Sequence, residues 1–563
     1  MVEIDENLKR ALVFSFILNS ALAFSKFYSR TYDSYTHMFF ADHYRRTWFN
    51  TWEPKWYTGF TVTSYTPLAH QSLALLSYIV GLEQAYVIIV FVLMILIPVA
   101  VYEFSKVFVS NKAAGYSSII GVFLPSTIQI TYSIGQYPLL FGLIASLFTV
   151  SVVDRYLKVG SKLLLIQTLF LLGVVVSANF TMGFFLILVF FAVFSRILLT
   201  KELDVRTTTR RFILFLVVGV LFSAIVIYPF ILFVLNAEPQ APVFPPHVSR
   251  TNVLTEILSW RFDGYPKLLA KLYGITILLI PLAAILVYRR RRLLPLFVLG
   301  VFFFTLSLGG TTILPQLVFG KSWVLLGYVR FALFAGVVFL PLFGLVCANL
   351  RQRKGGKIAW FVLFVLLILF AAIVGNAPLF SWRSENVSVE PIAEFLSKND
   401  GWNWRYITLG FGMHHSARLS ILTNSTTLDG FYPTARTLPI LRNSGVAYLD
   451  SAKDFKNGSA VLETILKDSS QYSIKWVFCN DEFYEPLLNE TGFTRLEENF
   501  GEVTVWEKEN TPMVDNAENM NFAPSFLEYL WGIAPLFFLV SAFVLYVGIG
   551  NVKKPMSWIF RRW

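Results

Sequence analysis

Tyr32-Asp33-Ser34-Tyr35-Thr36-His37-Met38-Phe39-Phe40-Ala41-Asp42-His43-Tyr44-Arg45-Arg46 follows closely on an apolar run, Ala11–Phe27. An acidic residue just beyond a hydrophobic segment, leading into a pattern with helical periodicity, reads as the outer end of a membrane span opening into a polar loop. Asp33 and His37 are four positions apart, so they share a helix face. A partly desolvated carboxylate at a membrane boundary, aimed at a hydroxyl, is suited to act as a general base. His37 would orient it or, together with Asp42, help hold a divalent cation such as Mg or Mn. The same residues also suit a solvated loop near lipid headgroups. Tyr44, Trp48 and Trp52 recur at a spacing of four, which predicts one helix with an aromatic stripe, ending at Pro54. Such a stripe anchors a helix at the interface and equally offers a platform for a sugar ring. Arg45 and Arg46 would meet headgroups or a substrate phosphate.

The rest of the chain sets that stretch in a membrane. Of 563 residues, 55% are hydrophobic and 15% charged, against roughly 25% charged in a soluble domain. Fifty-five Phe, 25 Tyr and 14 Trp exceed what water-facing surfaces carry. A purely soluble enzyme, a disordered chain and a collagen-like fibre are excluded. Apolar runs near bilayer length predict about twelve spans, at 11–27, 84–105, 113–131, 137–153, 163–178, 182–199, 212–235, 272–288, 293–308, 329–349, 358–377 and 526–549. Met1–Arg10 has mixed charge and no small-residue cleavage site follows it, so the first span reads as retained.

Net charge is +12. With both termini inside, roughly half of all Lys and Arg fall on inner segments, among them Arg289–Arg292, Arg351, Arg353, Lys354, Lys553 and Arg561, as the positive-inside rule expects. One misplaced span would scatter them. The Asn-x-Ser/Thr tripeptides at Asn179, Asn386, Asn424, Asn457 and Asn489 then all lie outside. Two cysteines exclude a disulfide framework, and Cys347 and Cys479 would lie on opposite sides. The expected location is the plasma membrane.

Three parts follow from this reading. Residues 1–377 form a transmembrane module with a first outer loop at 28–71. Residues 378–525 turn polar and form a small extracytoplasmic α/β domain. Residues 526–563 supply a last span and a basic inner tail. In the outer domain, Pro391–Lys398 reads as helix, Tyr406–Gly410 and Ile474–Cys479 as buried strands, and Glu502–Trp506 as a half-exposed strand. The helix that follows Tyr65-Thr66-Pro67-Leu68 and ends at Gly81 has about 14 residues and should not cross.

Other candidate residues are scattered. His247 sits in a Pro-rich loop, Asn236–Lys271, which reads as surface or as a cover over a cleft. His414 and His415 are adjacent, so on regular structure they should point apart. Asp429-Gly430 reads as a turn, or, with Tyr432, as an acceptor-glycan site. Gly309-Gly310 lacks the spacing of a nucleotide loop, and there is no Walker or dinucleotide fingerprint. No nucleic-acid partner is indicated.

In layout the chain resembles the GT-C superfamily of polytopic glycosyltransferases. It resembles more narrowly the archaeal membrane proteins labelled "6-pyruvoyl-tetrahydropterin synthase-related". The matching features are Asp33 with His37, Tyr65-Thr66-Pro67-Leu68, Gly135-Gln136-Tyr137-Pro138, and Tyr328-Val329-Arg330-Phe331 at the start of a late span. The resemblance implies an outward-facing site that takes a sugar from a polyprenyl (dolichyl) phosphate donor to a glycan, lipid or protein acceptor. Asp33 would be the base, and Arg330, with Lys321, would hold the lipid phosphate. Tyr65, Trp48 and Trp52 would stack on sugar, with Asp429, Tyr432 and His247 on the acceptor side. Two features depart from the superfamily's pattern: Asp33 and Asp42 do not form a tight acidic pair, and the turn reads Tyr-Thr-Pro-Leu.

Two other functions compete with this one. A lipid-linked glycan transporter would keep ionisable groups at mid-membrane, and the spans are nearly free of them. A non-catalytic scaffold or glycan-binding protein would leave Asp33 dispensable.

Overall fold

The computed structural model describes residues 5–201, 203–244, 246–352, 355–376, 387–514 and 524–551. The expected basic tail after residue 551, Arg353 and Lys354, the Asn386 tripeptide and both edges of the outer domain lie outside these residues. The chain is mostly helical. Among the described residues nine helices are long and apolar enough to cross a membrane. The three other expected spans are also helical: Glu6–Ala23 (18 residues), Lys162–Ala178 (17 residues) and Leu294–Ser307 (14 residues). The first carries Glu6, Lys9 and Arg10 at its start, and the others are short for a ~30 Å apolar layer. The expected span 212–235 is two helices, Val205–Val226 and Tyr228–Asn236. Pro229 opens the second, where its missing N–H does no harm.

Four helices frame the first outer loop: α1 (Glu6–Ala23), α2 (Ser34–Arg46), α3 (Leu68–Val80) and α4 (Leu82–Lys106). Asp5 caps α1 by accepting from the N–H groups of Asn7 and Leu8. The aromatic stripe on one long helix is not formed, because α2 stops at Arg46 and the chain turns into a short antiparallel pair, β1 (Trp52–Glu53) and β2 (Phe60–Thr61). Tyr57 and Thr58 have φ of 58° and 66°, a left-handed turn that a helix does not tolerate. Trp48 instead donates to Gly532 O at 3.1 Å. Trp531 donates to the Tyr44 hydroxyl at 3.1 Å. Both bonds anchor the final helix, Phe526–Asn551. Trp52 covers Gly59, where a Cβ would lie 2.1 Å from its ring.

The outer domain is a five-stranded mixed sheet of order β4-β3-β5-β7-β6. Its strands are β3 (Arg405–Leu409), β4 (Thr426–Thr427), β5 (Ile474–Cys479), β6 (Thr494–Phe500) and β7 (Val503–Glu507). β3 runs parallel to β4 and β5, and β7 antiparallel to β5 and β6. The helix Glu390–Lys398 and both buried strands match the sequence reading. β7 does not, since it is buried on both faces. Val503 and Val505 pack with Tyr406, Trp476 and Phe478, while Trp506 joins Ile407 and Val477 in the core that runs into the membrane module. The period of two is present, but both of its faces find partners.

The two modules are joined through the loop after α2. Trp56 forms a parallel bridge with Thr427, and Thr427 N donates to Lys55 O at 2.8 Å. The first outer loop thus extends the outer domain's sheet beyond β4. The Trp56 ring is fully buried. It stacks on Phe39 at 3.6 Å and 4° and donates to Ser420 Oγ at 2.9 Å. Trp56→Ala should cost about 3–5 kcal/mol by the usual large-to-small cost. Limited proteolysis in detergent should then cut the outer domain faster than in the parent; equal rates would contradict this joint.

Candidate active site

Asp33 ends up where a capping residue stands, just before α2, yet its side chain makes no capping bond. Asp in that position ordinarily accepts from the second or third helical N–H. Here the carboxylate Oδ2 accepts from Gln136 Nε2 instead. The backbone secures this placement, because Asp33 N donates to Ile134 O at 2.8 Å and Tyr32 N to Ser133 O at 3.2 Å. Gly135, at φ 90°, lets the two segments touch. A Cβ there would lie 3.0 Å from Ser34 N and Thr31 Oγ1. Tyr86 accepts from Ser34 Oγ and donates to Gly135 O, both at 3.0 Å.

Around Asp33 stand several of the expected residues. Arg330, at the start of the helix Val329–Leu350, is within electrostatic reach of Asp33, Tyr65 and Tyr432. Tyr65 and Tyr432 face each other with ring centroids 5.5 Å apart. Tyr432 donates to Ser64 O at 2.9 Å. Tyr448 hydrogen-bonds Tyr32 and also lies within reach of Asp33. His247, exposed in its loop, lies within reach of Arg330. Lys321 is exposed on the turn Gly320–Leu325 and is not among the groups that act on Arg330.

His37 lies behind this site. Its Nδ1 meets His70 Nε2 at 3.1 Å, and its ring packs edge-on to Tyr65 and Tyr137. Burial, with His70 beside it, holds His37 well below its ordinary value, and burial holds His70 down to about 3. Both are neutral, so His37 braces Tyr65 and carries no charge to the site.

Asp42 belongs to a different place. Nine residues along α2 it lies about 13 Å from Asp33 on the opposite face. It accepts from Arg46 Nε at 2.9 Å, with Lys55 Nζ and Arg45 Nη1 each at 3.6 Å. Arg46 also donates to Glu53 Oε2 at 2.6 Å. Burial works against the Glu53 carboxylate, yet the His43 bond and the Arg46 charge bring it down to about 2. Arg45 and Arg46 therefore neutralise this buried network, and neither is among the groups that act on Arg330. Asp33, His37 and Asp42 do not converge, so they do not fit as one donor set for a divalent cation. Among the described residues no group of three His, Cys, Asp or Glu could hold a metal.

Asp429 is also structural. Its carboxylate accepts from Gly430 N at 2.9 Å and Asp450 N at 2.8 Å. Gly430 leaves room for Trp56 and Tyr57, which a Cβ would strike at 2.9 and 2.6 Å. Asp450 accepts from the N–H groups of Phe411 and Gly412, which lead from β3 into the helix Met413–Leu422. The rings of His414 and His415 do not point apart; their centroids are 3.8 Å from each other. Of the Asp-Gly-Phe-Tyr-Pro run only Tyr432 borders the site. Sequence reasoning missed the role of Gln136, although Gly135-Gln136-Tyr137-Pro138 marked its position, and missed Tyr448, which no pattern signals.

This arrangement brings the Asp33 carboxylate within electrostatic reach of Arg330, Tyr65 and Tyr448, at the junction of a helical module and an outer sheet. No protein-family model and no curated protein sequence matches the chain. Solved structures do. The fold is GT-C-like. The apo oligosaccharyltransferase of Archaeoglobus fulgidus aligns with a TM-score of 0.51 and 11% identity, over 84% of this chain and 69% of that one. The same enzyme, AglB, in complex with an inhibitory peptide and a dolichol-phosphate gives the same values. A mutant of the mycobacterial arabinofuranosyltransferase AftD aligns with a TM-score of 0.54 and 12% identity, over 89% of this chain and 41% of that one. At such identities the likeness concerns the GT-C fold alone.

Burial is the main cause that raises Asp429 to about 7 and Asp450 to about 6. The folded chain then keeps protons that the unfolded chain has already lost. Their stabilising contribution is full below about pH 4 and falls as pH rises through 6 and 7. The unfolding temperature of the detergent-solubilised protein should therefore decline between pH 5 and 8. Asp429→Asn should reduce that decline; an unchanged slope would refute the assignment.

Proposed function

We propose that the chain is a glycosyltransferase that moves a sugar from a polyprenyl-phosphate donor to a hydroxyl-bearing or amide-bearing acceptor outside the membrane. The observation that carries this reading is the uncapped Asp33 carboxylate, fixed by Gln136 and set within reach of Arg330. For a hydroxyl acceptor, Asp33 takes the proton as the acceptor oxygen bonds to the anomeric carbon. The carbon–oxygen bond to phosphate breaks, and the electron pair leaves with the phosphate. Arg330 meets that charge, as a fixed cation near a leaving group does. The departing phosphate needs no proton. Tyr65 and Tyr432 offer ring faces to the sugar. The dolichol-phosphate bound to AglB supports a lipid-phosphate donor, and the positive-inside pattern supports a plasma-membrane protein with its large domain outside and both termini inside.

The test uses the purified chain in nanodiscs with radiolabelled dolichyl-phosphate-mannose and dolichyl-phosphate-glucose plus a host lipid extract. Loss of label from the donor is the readout. Asp33→Asn should lower turnover by about 10²–10⁴-fold, the usual worth of a general base, with donor binding retained. Equal turnover by parent and variant would remove Asp33 from the mechanism. Failure of the parent to bind either donor would favour the scaffold.

A further inference from the structure

We propose that the short helix Val253–Leu258 and the turn after it form a membrane anchor, which seats Leu254, Leu258, Trp260 and Phe262 in the interfacial layer of the bilayer on the outer-domain side. This inference goes beyond the transferase reading and does not depend on it.

The segment is fixed at both ends by its own backbone. Asn252 caps the helix by accepting from the N–H groups of Leu254 at 3.0 Å and Thr255 at 3.2 Å. At the other end Trp260 N donates to Ile257 O at 3.1 Å and Arg261 N to Glu256 O at 2.8 Å. That pair of bonds requires a left-handed residue, and glycine usually supplies it. Here Trp260 takes the place, at φ 56°, which an L side chain adopts only at a cost. Strain of this kind concentrates in functional segments. The ring is not spent on the protein's interior, since Trp260 is 84% exposed and Leu258 80%. Leu254 is exposed as well, four positions before Leu258 and so on the same helix face. The Phe262 ring stands edge-on to Trp260, with centroids 5.9 Å apart, and extends the apolar surface.

An exposed apolar surface of this kind marks a contact with membrane or protein, and its attachment selects the membrane. Glu256 Oε2 accepts from Tyr265 N at 3.1 Å. Tyr265 opens the segment Tyr265–Arg289, which is long and apolar enough to cross a membrane. Val253 N donates to Thr311 Oγ1 at 3.0 Å, just beyond the helix Leu294–Ser307. The anchor is thus tied to the ends of two apolar helices. Earlier in the same loop Ala241 N donates to Arg442 O at 2.9 Å and Phe244 N to Gly445 O at 3.3 Å, which sets the loop on the side of the outer domain. Tryptophan is the residue enriched where apolar chains give way to headgroups. Arg261, exposed and next to both rings in the chain, suits the same depth, since its stem lies along apolar surface while its cation meets lipid phosphates.

The test places a nitroxide label at Leu258→Cys or Trp260→Cys in the full chain, whose native Cys347 and Cys479 are buried. Each variant is reconstituted one copy per phosphatidylcholine nanodisc, with thermal unfolding compared to the parent. Electron paramagnetic resonance reads collisions with oxygen, which enters lipid, and with a nickel chelate, which stays in water. Ile285→Cys, exposed on the helix Leu279–Arg289, is the lipid standard, and Lys398→Cys, exposed on the outer domain, the water standard. Both anchor labels should give oxygen-to-nickel ratios near the lipid standard, at a depth of about 5–10 Å. Ratios equal to the water standard overturn the anchor. Shielding from both reagents puts the residues against protein and overturns it too. Shielding that arises only in crowded liposomes assigns the surface to a second copy and overturns the bilayer as its partner. Trp260→Gly suits the left-handed backbone, so the unfolding temperature in detergent should not fall, while the Leu258→Cys label should shift toward water. An unshifted label overturns the role of Trp260.

Discussion

Trp56 joins what the chain keeps far apart. Its ring lies flat on Phe39 of α2, its nitrogen bonds Ser420 on the outer domain's helix, and its backbone pairs with Thr427. A large apolar ring with a single polar atom suits this position, since it excludes water from the joint and still satisfies its own donor. The functional consequence follows from what shares the joint. Tyr432 sits next to Phe431, whose ring meets Trp56 edge-on. Asp33 precedes the helix on which Trp56 stacks. The two walls of the candidate site are thus set by one packed contact, and the outer domain behaves as part of the site's frame.

A second contact holds the same interface from the membrane side. Glu83, at the start of α4, accepts from Tyr28 at 3.0 Å and Tyr35 at 2.8 Å. Arg418 of the outer domain reaches Glu83 at 3.6 Å and Glu390 at 2.6 Å, and its guanidinium lies 5.7 Å from the centre of the Tyr35 ring. Part-exposed ion pairs of this kind add little to stability. Their value here is geometric, because they fix the angle at which the sheet meets α2.

Much of this was legible in the sequence. Apolar runs give the spans, since burial in lipid leaves the backbone no choice but helix. The apolar run Ile474–Cys479 gives a buried strand. What failed has a common cause. Trp48 and Asp429 have the right residue types for chemistry, but each is engaged by a residue well away in the chain, Gly532 and Asp450, while Trp52 is turned onto Gly59 by the left-handed turn at Tyr57 and Thr58, and Asp42 is taken up by Arg46 and Lys55. Local spacing cannot show such partners. His37 kept its expected face but met His70, which left it neutral. Tyr448 was invisible and the role of Gln136 was missed for the converse reason, as each matters only once a remote segment arrives beside it.

The turn after β3 carries a broader consequence. A parallel strand running through Gly410-Phe411-Gly412 into a helix is the geometry with which many α/β proteins seat a phosphate on backbone N–H groups. Here the Asp450 carboxylate already fills that seat. The outer domain is in this sense its own ligand. A visiting nucleotide would have to evict a covalently tethered anion, whose effective concentration no free metabolite matches.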